Sequence, residues 1–232
     1  MPVISFVSSK GGAGKTTAAL VVIGEILDAG GSVTIIDADP NNGLSEWAKL
    51  TGKRKGLRVV KDVTEETIIE EIDDAVTKTG FVVIDLEGTA NMLVGFAVSQ
   101  SDLAIVPCKG SRLDEQQVGR TVKFIERAAK GFKLKVQTRV LLSQTSAAIE
   151  SKNVREVKKN LDRNKVARFR TEMIEREAYR TPFFMGGTIH DLRKGEVSNI
   201  QGAKENAAAL MEEVVAIISP EVLKFEGKGV AA

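Results

Sequence analysis

The stretch Ser8-Ser9-Lys10-Gly11-Gly12-Ala13-Gly14-Lys15-Thr16-Thr17 decides how the chain folds. A short apolar run, Val3-Ile4-Ser5-Phe6-Val7, precedes it, and a helical pattern from Thr16 to about Ala29 follows. Strand, glycine loop and helix in that order make a cradle for phosphate groups. Glycines let successive backbone N–H groups turn inward without Cβ clashes, and the helix start sets partial positive charge beneath the anion. In such a cradle Lys15 reaches the β- and γ-phosphates as a point charge, and the Thr16 hydroxyl is a ligand for Mg²⁺.

The common pattern G-x-x-x-x-G-K-[ST] requires a first glycine where this chain has Ser9, and a second lysine, Lys10, opens the loop. The string Lys10–Thr17 resembles the deviant Walker A motif of the ParA/MinD family of ATPases. The resemblance extends over Asp37-Ala38-Asp39-Pro40, Phe81–Asp85, the segment 97–117 and the region 171–192. It implies ATP and Mg²⁺ as cofactors, with Gly11, Gly12, Ala13, Gly14, Lys15, Thr16 and Thr17 around the nucleotide. It also implies that Lys10 crosses to a second subunit and touches its nucleotide, making an ATP-sandwich homodimer. In physical terms Lys10 would act as an arginine finger does, adding positive charge where the transition state gathers negative charge.

Two apolar β-branched runs end in acids, Ser32-Val33-Thr34-Ile35-Ile36-Asp37 and Phe81-Val82-Val83-Ile84-Asp85. Of Asp37 and Asp39, one carboxylate suits Mg²⁺ or its water, and the other, Asp39, suits orientation of the attacking water. Asp85 ends a strand of the Walker B type and completes the expected metal set with Thr16 and Asp37; Lys10, Lys15 and Asp39 form the expected catalytic set. The following Leu86-Glu87-Gly88 resembles a switch segment less closely, since relatives carry proline or small residues there. Gly88 is the residue expected to move toward a γ-phosphate. Relatives place their adenine pocket after a late strand, which points to Ser143, Gln144 and Thr145.

Further apolar runs lie at Leu103–Pro107 and Leu134–Leu142, with helical patterns at 89–100 and 112–130 between them. Strands apolar on both faces and alternating with helices imply a doubly wound, mostly parallel sheet covered on both sides, the P-loop NTPase fold. In such a sheet the active groups meet at the carboxyl ends of the strands. Shorter elements are expected as a helix at 44–50, a strand at 57–61, an exposed helix at 64–79, a strand at 169–174, a helix at 178–184 and a final helix at 198–218. The 232 residues suit one domain, with the tail 224–232 frayed.

Lys and Arg number 33 against 31 Asp and Glu, so bulk charge announces no nucleic-acid partner, and the distribution has to be read instead. Residues 151–170 are strongly basic, and Lys152, Arg155, Lys158, Lys159 and Arg163 are the candidate DNA contacts, non-specific and salt-sensitive. A solvated helix face competes with that reading. A single cysteine, Cys108, excludes an intrachain disulfide and favours a cytoplasmic setting, nucleoid-associated if DNA is bound. No apolar stretch reaches the roughly 18–20 residues that span a bilayer. The stripe Ala207, Leu210, Met211, Val214, Ile217 and Ile218 lacks basic flanks and reads as core-facing rather than membrane-binding.

The expected function is therefore a Mg-ATP-dependent dimerising ATPase that binds DNA and drives partition or positioning of DNA or another cargo. Its hydrolysis would be slow and stimulated by a partner protein. The alternatives are a MinD-like membrane-associated ATPase, and a P-loop kinase or ligase that turns over a small molecule without dimerising.

Overall fold

The computed structural model describes residues 1–132 and 134–219, so the tail expected to fray at 224–232 lies outside them. Strands β1 (Val3–Phe6), β2 (Val33–Ala38), β3 (Leu57–Val60), β4 (Phe81–Leu86), β5 (Leu103–Cys108), β6 (Gln137–Thr145) and β7 (Met173–Ile174) form one sheet. Their order is β3-β2-β4-β1-β5-β6-β7, and every pairing is parallel. The chain winds from β1 toward one edge and then returns to β5 on the other side. This reversal opens a crevice at the carboxyl end of β1, where the glycine loop begins.

Alternation along each strand feeds two cores. Ile4, Phe6, Val33, Ile35 and Val83 face one side, where α1 (Lys15–Asp28), α2 (Gly43–Thr51) and α8 (Ile200–Ile218) pack. Val3, Ile36, Val82 and Ile84 face the other, under α3 (Ile68–Lys78), α4 (Met92–Ser99), α5 (Arg112–Gly131) and α6 (Lys152–Arg163). A sheet buried on both faces needs apolar residues at consecutive positions, which is why these strands read as continuous runs. Ala207, Leu210 and Val214 are buried against the first core, with Met211, Ile217 and Ile218 packed beside them, as the stripe of the last helix foretold.

Several boundaries move for local reasons. The strand expected from Leu134 begins at Gln137, because the Leu134 N–H turns back to the Ala129 carbonyl at the end of α5. The helix expected from Thr64 begins at Ile68, after a turn in which Thr64 N–H donates to Thr67 Oγ1 at 3.0 Å. The expected strand 169–174 shrinks to β7, since the N–H groups of Arg170 and Thr171 donate to the Glu213 carboxylate instead of a ladder. The helix expected at 178–184 divides into a 3-10 turn, Glu177–Tyr179, and α7 (Pro182–Met185), with Pro182 at its first position. Proline carries no N–H to continue a preceding turn.

Candidate nucleotide-binding site

Gly12 and Gly14 in the loop between β1 and α1 have φ of +72° and +95°, a region that side chains with a Cβ rarely occupy. Gly14 caps α1, so the first free N–H groups of that helix point into the loop. A cavity of about 700 Å³ opens there, lined among others by Gly12, Lys15, Thr16, Asp39, Glu87 and Gln144. Loop, helix start and Lys15 thus come together as the sequence implied.

Ser9 sits where the common pattern has glycine, and the structure gives it work. Its Oγ donates to Gln117 Oε1 at 3.0 Å, and its N–H donates to Thr121 Oγ1 at 3.1 Å, tying the loop to α5. From the other side Ser143 Oγ donates to the Ala13 carbonyl at 3.0 Å. Ser143 therefore braces the loop, while Gln144, held at φ +55°, is the adenine candidate that lines the phosphate cavity. Thr145 is buried, and its hydroxyl has no partner.

Parallel pairing of β2 with β4 sets Asp37 directly beside Asp85. Asp85 is fully buried, and neither carboxylate oxygen has a hydrogen-bond partner. Burial pushes its pKa up to about 7, against the pull of the nearby Thr16 hydroxyl and the Lys15 ammonium. Burial also raises Asp37, opposed by Ser45, whose N–H donates to Asp37 Oδ2 at 2.7 Å. Asp37 Oδ1 is left without a partner. Three orphaned carboxylate oxygens next to a threonine hydroxyl are a donor set for a hard divalent cation. Among the described residues no group of three or more His, Cys, Asp or Glu forms a cage by itself.

Asp39 lines the same cavity and is oriented by Asn41, whose N–H and Nδ2 donate to its Oδ1 at 3.0 and 2.8 Å. Glu87 and Gly88 close the cavity from the end of β4. A Cβ on Gly88 would stand 3.1 Å from Gly11 N and 3.3 Å from the Lys10 carbonyl carbon, so this segment rests on the loop itself. Glu87 is no free acid: Asn91 Nδ2 donates to its Oε2 at 3.3 Å, while Asn91 Oδ1 caps α4 by accepting the Val94 N–H.

Lys10 Nζ sits 2.9 Å from Asp114 Oδ1, at the start of α5. Asp114 also exchanges hydrogen bonds with Ser111 in a capping box. Asp114 falls within the segment 97–117, and its sequence signal is the Ser111-x-x-Asp114 spacing before an apolar-periodic run.

The basic candidates of the 151–170 block lie on α6. Arg155 pairs with Glu150, and Lys159 pairs with Glu156. Lys158 is half-buried between Glu150 and Glu172. Lys152 and Arg163 have no carboxylate partner among the described residues, although Arg163 reaches Asn160. His190 stands away from the cavity, between Glu25 (Nε2 to Oε1, 2.6 Å) and Asp28. Trp47 is a core residue whose Nε1 donates to the Gly187 carbonyl. No described helix is long and apolar enough to cross a membrane.

Comparison with known proteins agrees with this geometry. A family model described as VirC1 protein matches residues 1–223. A protein named ParA from Rhizobium radiobacter is 34% identical over 209 residues, covering 90% of this chain and 94% of that protein. Among solved structures, a Cyanothece McdA in complex with ATP superposes with a TM-score of 0.71 at 15% identity, covering 92% of this chain and 96% of that one. The MinD of an Aquifex aeolicus MinC:MinD complex superposes at 0.69 with 18% identity, covering 93% and 96%.

Proposed function

Because the chain belongs to the VirC1 family, within the ParA/MinD type of P-loop protein, we propose that it is an ATPase whose Mg-ATP form dimerises, binds DNA non-specifically, and partitions or positions DNA or another cargo. The observation that carries this reading is the pair of buried carboxylates, Asp37 and Asp85, with three oxygens left without hydrogen-bond partners beside Thr16 and the glycine loop. Burying two such groups without a cation is costly, and a bound divalent ion offsets it.

Backbone N–H groups from Gly11 to Thr17 hold the phosphates, and Lys15 adds a fixed positive charge. Thr16, Asp37 and Asp85 would hold Mg²⁺, which would supply positive charge against the charge gathering on the phosphate oxygens. Asp39, fixed by Asn41, orients the attacking water. Lys10 is supplied by each subunit to the other's nucleotide, so hydrolysis and nucleotide affinity depend on dimerisation. Hydrolysis is slow and stimulated by a partner protein, and it releases the dimer from DNA.

The test is a gel shift on duplex DNA with ATP, ADP and no nucleotide, run beside an ATP-hydrolysis assay. A shift with ATP that ADP does not support is the expected result. Rapid turnover by monomers that appears only with a small-molecule acceptor would replace this reading with that of a kinase or ligase.

A further inference from the structure

We propose that the surface that meets DNA is the solvent face of α5, not α6. The inference rests on the DNA-binding reading above and names where that contact is made. At about 100° per residue, Arg112, Arg120, Lys123, Arg127 and Lys130 fall within an arc of about 80°, with Gln116 filling the gap. All five are exposed. The buried side of the helix, Asp114, Val118, Thr121, Ile125 and Ala129, lies on the opposite side of the cylinder. The stripe runs about 27 Å along the helix axis at about 1.5 Å per residue.

What marks this stripe is five exposed cations on one arc of a single helix, none of them paired among the described residues. Carboxylates three or four residues away can neutralise such charges where they are present. On α6 three of the five candidates are laced in this way, Arg155 with Glu150, Lys158 with Glu150 and Glu172, and Lys159 with Glu156, while Lys152 and Arg163 have no carboxylate partner among the described residues. On α5 none of the five basic side chains takes part in an ion pair or a side-chain hydrogen bond among the described residues. Glu115 beside the stripe accepts from Asn160, and Glu126 stands at its edge without bridging to it. Like charges spaced three and four residues apart weaken a helix, and a polyanion laid along them relieves that repulsion.

The chemistry of the stripe selects the phosphate backbone. Within its own arc it holds no apolar side chain, and one large apolar side chain, Leu113 (68% exposed), stands at its edge, which is too little to anchor a partner protein. The continuous apolar side of α5 is spent in the core, so the helix has no broad apolar face to sink into a bilayer. Side chains that carry charge without base-stacking groups read phosphate position rather than sequence.

The experiment compares two triple variants in ATP-dependent binding to a random-sequence duplex across a salt series. Arg120→Gln with Lys123→Gln and Arg127→Gln is expected to weaken binding at least about tenfold and to lower the slope of log affinity against log salt by about 2 to 3. Lys152→Gln with Lys159→Gln and Arg163→Gln is expected to stay within about twofold of the parent. The α5 positions are exposed and their like charges repel, so the melting temperature of the triple is expected to stay level with the parent or rise slightly while binding is lost. If the α6 triple loses binding and the α5 triple keeps it, the surface is wrong and the DNA reading stands. If the parent protein binds no duplex with ATP at low salt, the DNA reading itself fails. Binding to phosphatidylglycerol vesicles in place of DNA, abolished by the α5 triple, would overturn the proposal in favour of a membrane surface.

Discussion

Lys10 Nζ lies 2.9 Å from Asp114 Oδ1, so the side chain assigned to a partner's nucleotide is held within its own chain at the N-terminus of α5. Burial pushes Asp114 up, but the Ser111 hydroxyl and the Lys10 ammonium outweigh it and carry its pKa below the ordinary carboxylate range. The Lys10 side chain is 46% exposed, and an ion pair that open to water is worth at most about 1 kcal/mol. In the proposed dimer a partner's triphosphate, with more charge than one carboxylate, would compete for the same ammonium.

Two substitutions follow from that contest. Lys10→Ala is expected to abolish ATP-dependent dimerisation in sedimentation velocity, because the trans charge is gone. Asp114→Asn keeps an oxygen for the Ser111 cap and releases Lys10, so dimerisation is expected to tighten by a factor of about 2 to 10, equal to roughly 0.4 to 1.4 kcal/mol. A Lys10→Ala protein that still dimerises with ATP would remove the proposed lysine exchange.

Asp85 sets stability against function. Its folded pKa of about 7 stands above its unfolded value, so the folded state holds the proton more tightly. The unfolded chain ionises near pH 4, and from there to about pH 7 each pH unit costs the apo protein about 1.4 kcal/mol at this one residue. Above about pH 7 the cost levels off. Asp85→Asn removes it, and the apo variant is expected to melt above the parent at pH 8 by at least about 2–4 °C. The gap should narrow as pH falls toward 5. The same variant should lose Mg²⁺-dependent nucleotide binding, read by titration of a fluorescent ATP analogue. Equal melting temperatures at pH 8 would show that the buried carboxylate is not a burden.

The phosphate cradle and the two acid-tipped strands were legible because their signals are local. Gly12, Gly14 and Lys15 are fixed by a backbone turn, and Asp37 and Asp85 by the ends of apolar runs. What joins them is not local. The register that sets Asp37 beside Asp85, 48 positions along the chain, appears only once β2 and β4 pair. The hold of Asp114 on Lys10 and the braces from Gln117, Thr121 and Ser143 depend equally on how α5 and β6 stand against the loop. The basic face of α5 was hidden for a different reason. Its charges are spread over 19 residues among apolar ones, whereas those of 151–170 crowd together in sequence. Crowding in sequence says nothing of pairing, and three of the α6 candidates meet carboxylates at Glu150, Glu156 and Glu172.

Gly88 is expected to tolerate no side chain. A Cβ there meets the Gly11 nitrogen at 3.1 Å and the Lys10 carbonyl carbon at 3.3 Å, both backbone atoms that cannot swing aside. Gly88→Ala must part the switch segment from the loop by a few tenths of an ångström. At the proposed phosphoryl-transfer site a shift of that size is expected to cost about 3- to 10-fold in rate, since about 1 Å costs roughly 100-fold. The check is kcat at saturating ATP beside the Kd of a fluorescent nucleotide: kcat should fall while Kd moves by only about threefold, about 0.7 kcal/mol. An unchanged kcat would mean that this close contact plays no part in turnover.

Ser9→Gly makes the sharpest test of the loop, because it restores the residue that the common phosphate-loop pattern prefers. By pattern alone the change is an improvement. By structure it removes the hydroxyl that joins the loop to Gln117, a bond with a net worth of about 0.5–1.5 kcal/mol. It also adds backbone freedom to the unfolded chain, worth up to about 1 kcal/mol more. Ser9→Ala removes only the hydroxyl, and both variants keep the N–H that donates to Thr121. The expected order of melting temperatures is parent, then Ser9→Ala, then Ser9→Gly, with each step about 2–4 °C. ATP affinity should fall in the same order, since a loop that wanders must be ordered again when the phosphates arrive. If Ser9→Gly bound ATP more tightly than the parent, the serine would be a tolerated departure rather than a brace, and α5 would have no mechanical hold on the nucleotide loop through this residue.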